Sequence, residues 1–301
     1  MVARDCKPGS PPDGTVCADR RSCDHLGPAA AWAPEEAHRR RAGVPGRGAG
    51  AARCQVGASL AADVLRPAWA PVPYLPNQPG YHKRLKAAAP LLAAVMDYLA
   101  REVPSWHDPV RLIDATPVPC GNSRETVKRS ELAGWAAYGY CAAHARWYWG
   151  LKLYLVTTPD GMPVAWCLAS PKIGEREAAA ELLAHAARTG ALQPGLTLIG
   201  DKGFAGRDFE NLVTTGYGLH LVRPDRRDEP PRHGAIGWIR QWIESVNDTL
   251  KGQLDLERHG GRTTEGVYAR ITQRLLAMAT AIWHNWTTAE PIKRSLTAYD
   301  H

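Results

Sequence analysis

Arg240-Gln-Trp-Ile-Glu244-Ser-Val-Asn-Asp-Thr-Leu-Lys251 sets an acid between two bases at helical spacing. At about 100° per residue, with Arg240 as zero, Glu244 falls at about 40°, Asn247 at about 340°, Asp248 at about 80° and Lys251 at about 20°. The arc from about 200° to about 320° carries Ile239, Trp242, Ile243, Val246, Leu250 and Leu254. The stretch therefore predicts a helix docked by an apolar back, with its polar stripe presented outward.

The surface for that back comes from upstream. Val110 to Asp114, Trp147 to Thr157, Pro163 to Ala169, Leu196 to Asp201 and Leu219 to Val222 are apolar runs bounded by turn formers, as strands are. Pro159-Asp-Gly161 joins the second and third into a hairpin. Helical spacing is predicted for Tyr81 to Val103, where Pro90 should break or kink the helix, and for Glu175 to Arg188, Arg207 to Thr214 and Thr264 to Trp286. Three strands, then helix, strand, helix, strand, helix, helix make a mixed α/β sheet with helices packed on it.

Asp114 and Asp201 each close one of the short strands, where a side chain can leave the sheet for the crevice beyond it. Were those strands neighbours, the two carboxylates would meet, and the docked helix would add Glu244. Carboxylates so placed repel unless a cation joins them, and Mg²⁺ takes oxygen ligands while keeping positions for water and phosphate. A pair of such ions suits in-line phosphoryl displacement. Arg240 and Lys251 could then hold a strand by its phosphates. Each acid also has a plainer reading: Asp114 before Ala-Thr-Pro suits a turn or cap, Asp201 an Asx turn, and Glu244 a solvent-side pair with Arg240. Their conjunction favours the site.

Three stretches carry a family resemblance: Leu112-Ile-Asp114-Ala-Thr-Pro-Val118, Leu198-Ile-Gly-Asp201-Lys-Gly-Phe204, and Arg240-x3-Glu244-x6-Lys251 followed by Leu254-Asp-Leu-Glu-Arg-His-Gly-Gly-Arg262. They resemble the insertion-sequence transposases with a DDE active site on an RNase H-like fold, over Tyr74 to His301. The resemblance implies an RNase H-like mixed sheet flanked by helices, with Asp114, Asp201 and Glu244 as catalytic and metal-binding acids. It implies two Mg²⁺ ions, with Mn²⁺ as substitute, and DNA contacts from Arg240 and Lys251. The implied partners are terminal inverted repeats and target DNA. The implied reaction is hydrolysis at the element's ends, then attack by the released 3′-hydroxyl with no covalent protein–DNA intermediate. A homodimer assembled on DNA and a bacterial cytoplasmic, nucleoid-associated location follow from the same likeness. Gly237 stands where relatives often carry a tyrosine, and the interval from Asp201 to Glu244 is too short for the β-rich insertion of some relatives.

Around this centre lie further candidates. Arg124, Lys128, Arg129, Arg258 and Arg262 are predicted DNA contacts, with Arg223, Arg226 and Arg227 behind them. For Trp135, Tyr138, Tyr140, His144, Trp147, Tyr148 and Trp149, core packing is the expected role of most, and stacking on an unpaired base the second. Lys and Arg outnumber Asp and Glu 37 to 30, for a net charge of +7 in 301 residues, which suits a polyanionic partner. No apolar run is long enough to span a membrane, and no signal peptide is recognisable at the start. Cys120, Cys141 and Cys167 read as isolated thiols; Cys17, Cys23, His25 and Cys54 lack the paired spacing of a zinc site.

Residues 1–66 are rich in Pro, Gly, Ala and Arg and lack apolar periodicity, so a low-complexity, poorly ordered segment is expected, or a truncated or out-of-frame start. The predicted organisation continues with a helical linker region at 67–105, the catalytic domain at 106–290 and a tail at 291–301. Two alternatives to a working enzyme stay open: a catalytically silent DNA-binding remnant, and an RNase H-like nuclease.

Overall fold

A computed structural model describes residues 76–121, 123–141, 145–230, 232, 237–291 and 293–296, without the side chains of 237–240. The expectations for residues 1–66, for the zinc candidates there, for His144 and for the Arg240 side chain lie outside the described residues.

Helix α1, Gln78–Glu102, starts at Asn77, whose side chain accepts a hydrogen bond from the Gly80 amide at 3.0 Å. Contrary to expectation, it runs unbroken through Pro90. Pro90 is exposed, so water can satisfy the carbonyl deprived of its partner. Ala89, Met96, Leu99 and Ala100 form the buried side of α1. Strand β1, Val110–Gly121, is much longer than the predicted Val110 to Asp114. Two elements were not predicted at all: helix α2, Arg124–Arg129, capped by Ser123, and strand β2, Ala137–Cys141.

Strands β3, Arg146–Thr157, and β4, Pro163–Ala169, form the expected antiparallel hairpin, turning at Gly161 with φ +91°. Then come helix α3, Glu175–Arg188, strand β5, Thr197–Ile199, helix α4, Arg207–Asn211, and strand β6, His220–Val222. Helices α5, Gly237–Asp248, and α6, Thr264–Thr287, complete the order. Both α4 and α5 pass into a π-type turn, at Leu212–Gly216 and Thr249–Gln253. Lys251 lies in the second, so the regular 3.6-residue spacing projected for it stops at Asp248.

The sheet order is β2-β3-β1-β5-β6, with β4 also paired to β3. The β1–β3, β2–β3 and β3–β4 pairs are antiparallel; β1–β5 and β5–β6 are parallel. Lys152 ion-pairs with Glu175 at the start of α3 at 2.6 Å. Asp114 shares a face with its cross-strand partner Leu155, the face opposite to that of Lys152, and meets Asn247 of α5. The two helices thus cover opposite faces of a mixed sheet. One large core joins them, with Ile113, Leu151, Leu153, Tyr154, Leu183, Leu198, Leu250, Leu275 and Met278 all at most 1% exposed. No helix among the described residues is long and apolar enough to cross a membrane.

Candidate active site

The site begins with a buried cation. The Arg111 guanidinium is 2% exposed and donates to the carbonyls of Trp106 (2.6 Å), Asp108 (2.8 Å), Val110 (2.9 Å) and Ala191 (3.1 Å). These bonds fix where β1 enters the sheet. β1 then pairs with β5 only at Val110–Leu112, and Asp114 sits two residues past that parallel contact. Asp201 sits two residues past the end of β5, is exposed, and accepts the Lys202 amide on its own Oδ1. Neighbouring parallel strands thus deliver both acids to one corner, although Asp114 lies inside a long strand and not at its end.

Burial pushes the Asp114 carboxyl up to about 6, and the negative charge of Asp201 adds to the rise. The Ala115 amide, the Asn247 side-chain amide and the charge of Lys251 act the other way. Asn247 donates its Nδ2–H to Asp114 Oδ2. Glu244 lies one turn earlier on α5 and is exposed. Among the described residues, no group of three or more His, Cys, Asp or Glu side chains stands close enough to hold a metal ion. Asn247 thus contacts Asp114, whose carboxyl also feels the charges of Asp201 and Lys251, with Glu244 beside Asn247 on the helix. The apolar back of α5 is as expected at Val246 (4% exposed) and Leu250 (0%), but Trp242 remains 38% exposed.

The cationic candidates divide. Arg124, Lys128, Arg129, Arg258 and Arg262 are all exposed; Lys128 and Arg129 each lie 3.7 Å from Glu125. Arg223 is corrected outright: it is 2% exposed and clamped by Glu210 and Glu229 at 2.5 and 2.7 Å, which makes it a tie for the loop after β6. The aromatic expectation also needs correction. Tyr148 and Trp149 are buried and Trp135 partly so, whereas Tyr138, Tyr140 and Trp147 are exposed. Cys141 and Cys167 are buried thiols, and Cys120 is partly buried.

Three residues without a predicted role proved structural to the site. Arg111 gave no signal in a strand read as apolar. Asn247 lay on the presented stripe, and its position one turn after Glu244 was the available clue. His259, in the segment after α5, is 3% exposed; its Nε2–H donates to the Pro119 carbonyl at 3.0 Å while Nδ1 accepts the Gly261 amide at 3.1 Å. Burial holds its imidazole down at about 4, so it is neutral at ordinary pH.

Among curated proteins nothing matches the chain. Of solved structures, the chain is similar to the catalytic domain of Mos1 mariner transposase, at 10% identity and TM-score 0.25 over 75% of this chain and 99% of that one. It is likewise similar to the Mos1 mariner paired end complex with Mn, at 11% identity and TM-score 0.26 over 95% and 82%. The transposase DDE domain pattern matches residues 105–279, more than half of the chain, spanning the strand that carries Asp114, the turn that carries Asp201 and the helix that carries Glu244; the chain belongs to that family.

Proposed function

We propose that this protein is the DNA transposase of an insertion sequence, binding terminal inverted repeats and catalysing metal-dependent phosphodiester hydrolysis and strand transfer. The observation that carries the reading is the meeting of Asp114 and Asp201 at the end of the β1–β5 parallel contact, beneath the polar stripe of α5. An acid pushed up to about 6, first by burial and then by a second carboxylate, is ionised more readily when a cation is present, and an oxygen-only donor set suits a hard divalent cation. Asp114 and Asp201 would hold Mg²⁺, or Mn²⁺ in its place, and Glu244 would complete a second position. When bound, the ion supplies Lewis-acid polarisation of the phosphate and activation of the attacking oxygen.

The chain's own groups do the positioning. Asn247 orients the Asp114 carboxylate by its hydrogen bond, and Lys251 offers a cation to the phosphate next to the break. Arg240, in the first turn of α5, stands on the same helix as Glu244 and serves the strand's phosphates. The exposed cations Arg124, Lys128, Arg129, Arg258 and Arg262 suit DNA as partner, on which two copies would assemble.

The test is cleavage of a labelled terminal-repeat duplex in Mg²⁺. Asp201→Asn should lower the rate by at least about a thousandfold while duplex affinity stays within a few fold, because metal-held charge stabilisation supplies the largest share of such catalysis. Robust cleavage by the variant would sink the proposal, and binding without cleavage by the unaltered protein would identify a silent remnant.

A further inference from the structure

The row of aromatic side chains at the far edge of the sheet is not explained by the core. In the β2–β3 pair, Tyr138 stands opposite Trp149 and Tyr140 opposite Trp147. Residues directly opposite share a face, and so do alternate residues along a strand. Trp147, Trp149, Leu151, Leu153 and Leu155 therefore point one way, and Leu155 is the cross-strand partner of Asp114. The aromatic row thus lies on the same face of the sheet as the acid. From Leu155 back to Trp147 is eight residues of β3, about 26 Å at about 3.3 Å per residue.

Inward, this face is covered: Trp149 is 4% exposed. Outward it is open, with Trp147 69%, Tyr140 50% and Tyr138 47% exposed. The rings of Tyr140 and Trp147 lie 5.3 Å apart and are tilted by 55°, leaving an open corner. Beside them is a concavity of roughly 430 Å³, lined by Tyr138, Trp147, Arg124, Arg146, Arg258 and the single carboxylate Glu257 among its charged and aromatic walls. Arg146 is paired with Glu257 at 2.7 Å, so the balance of charge there is positive. Flat rings next to cations match a strand whose bases expose their faces and whose phosphates are negative. In a duplex those faces are hidden within the stack.

We propose that Trp147, Tyr140 and Tyr138 form a stacking platform for an unpaired segment of a DNA strand, with its phosphates held by Arg124 and Arg258. The inference rests on the reading of the acids as a DNA-processing site, and places a second strand contact about 26 Å from them along β3. Charge favours the nucleic acid over a second protein chain on this face.

The experiment compares affinities of the full chain, without divalent metal, for a short labelled oligonucleotide of mixed sequence and for the same sequence as a duplex. Trp147→Ala/Tyr140→Ala should weaken binding of the unpaired strand about tenfold and of the duplex less than about twofold, since stacking is lost base by base. Trp147→Phe/Tyr140→Phe should keep most of the affinity. An iodouracil-substituted oligonucleotide should crosslink to the peptide containing Tyr138 to Trp147. Equal losses on both DNAs, no loss on either, or a crosslink elsewhere overturns the platform. A shift from dimer to monomer with DNA binding unchanged overturns it too, in favour of a second copy on this face. Because the readout needs no metal, a cleaving Asp201→Asn variant would overturn the catalytic reading and leave this contrast intact.

Discussion

The two sides of β1 are built differently. Toward β3 it pairs antiparallel from Leu112 to Gly121; toward β5 it pairs parallel for only Val110–Leu112. The long side buries apolar residues in continuous rows, and Leu151, Leu153 and Val156 have no exposed surface. The short side is fixed by a buried arginine and ends at once, leaving two carboxylates where the pairing stops. Stability thus resides in the antiparallel half, and the proposed chemistry at the parallel corner that this half supports. Brevity of the parallel contact is what opens the crevice for Asp114 and Asp201.

The most severe way to break this division is at Gly150, opposite the irregular register between Pro119 and Gly121. A Cβ there would collide with the Val118 carbonyl oxygen and meet the Cys120 amide nitrogen at 2.9 Å. Gly150→Ala should cost about 3 kcal/mol or more in urea unfolding, as overpacking against backbone does. Asp201→Asn should change stability by less than about 1 kcal/mol in the same measurement, as is usual for an exposed side chain.

A smaller effect is expected at His259, which ties the segment after α5 to β1. Its folded-state value of about 4 lies below the ordinary value of 6.5, so the unfolded chain binds the proton first. Its contribution is full above about pH 6.5 and declines as pH falls toward about 4, by roughly 3 kcal/mol at most. His259→Asn should lower stability at pH 7 and flatten this part of the curve; an unchanged slope would show that the imidazole protonates without unfolding cost.

The smallest effect runs the other way. Burial raises the Asp97 carboxyl on α1 to about 6 from an ordinary 3.8, while Arg101 partly offsets it. The folded state therefore binds the proton first, and stability falls as pH rises from about 4 to about 6. Asp97→Asn should raise stability at pH 7 by on the order of 1 kcal/mol and remove that decline, as a difference curve of unfolding against pH would show.

Much of this was legible from the chain. The Pro159-Asp-Gly161 turn between two apolar runs marked the β3–β4 hairpin, and the alternation of α3 marked its buried side. The second half of β1 was missed because Pro117 and Pro119 read as strand breakers. Beyond Leu112, β1 has no described neighbour on the β5 side, and prolines are tolerated along such an edge. β2 was missed because Gly139 interrupts its pattern; its lack of a side chain suits the crowding of the Tyr148 ring, 2.7 Å from a Cβ there. Asp114 and Asp201 could be paired from the ends of the strands predicted for them, although Asp114 proved to lie inside its strand, whereas the hydrogen bond from Asn247 could not, since it depends on the depth at which α5 docks. The exposed aromatics were misjudged because average burial says nothing about which strand forms an edge.

The central claim is that Asp114 and Asp201 act together on one divalent cation at the parallel corner. Calorimetric titration of the folded protein with Mn²⁺ addresses it without DNA. The unaltered chain should bind the ion, and Asp114→Asn and Asp201→Asn should each weaken binding by at least about tenfold, with the double variant little worse than either, as expected of residues that act as a unit. Binding that survives both substitutions would contradict the claim.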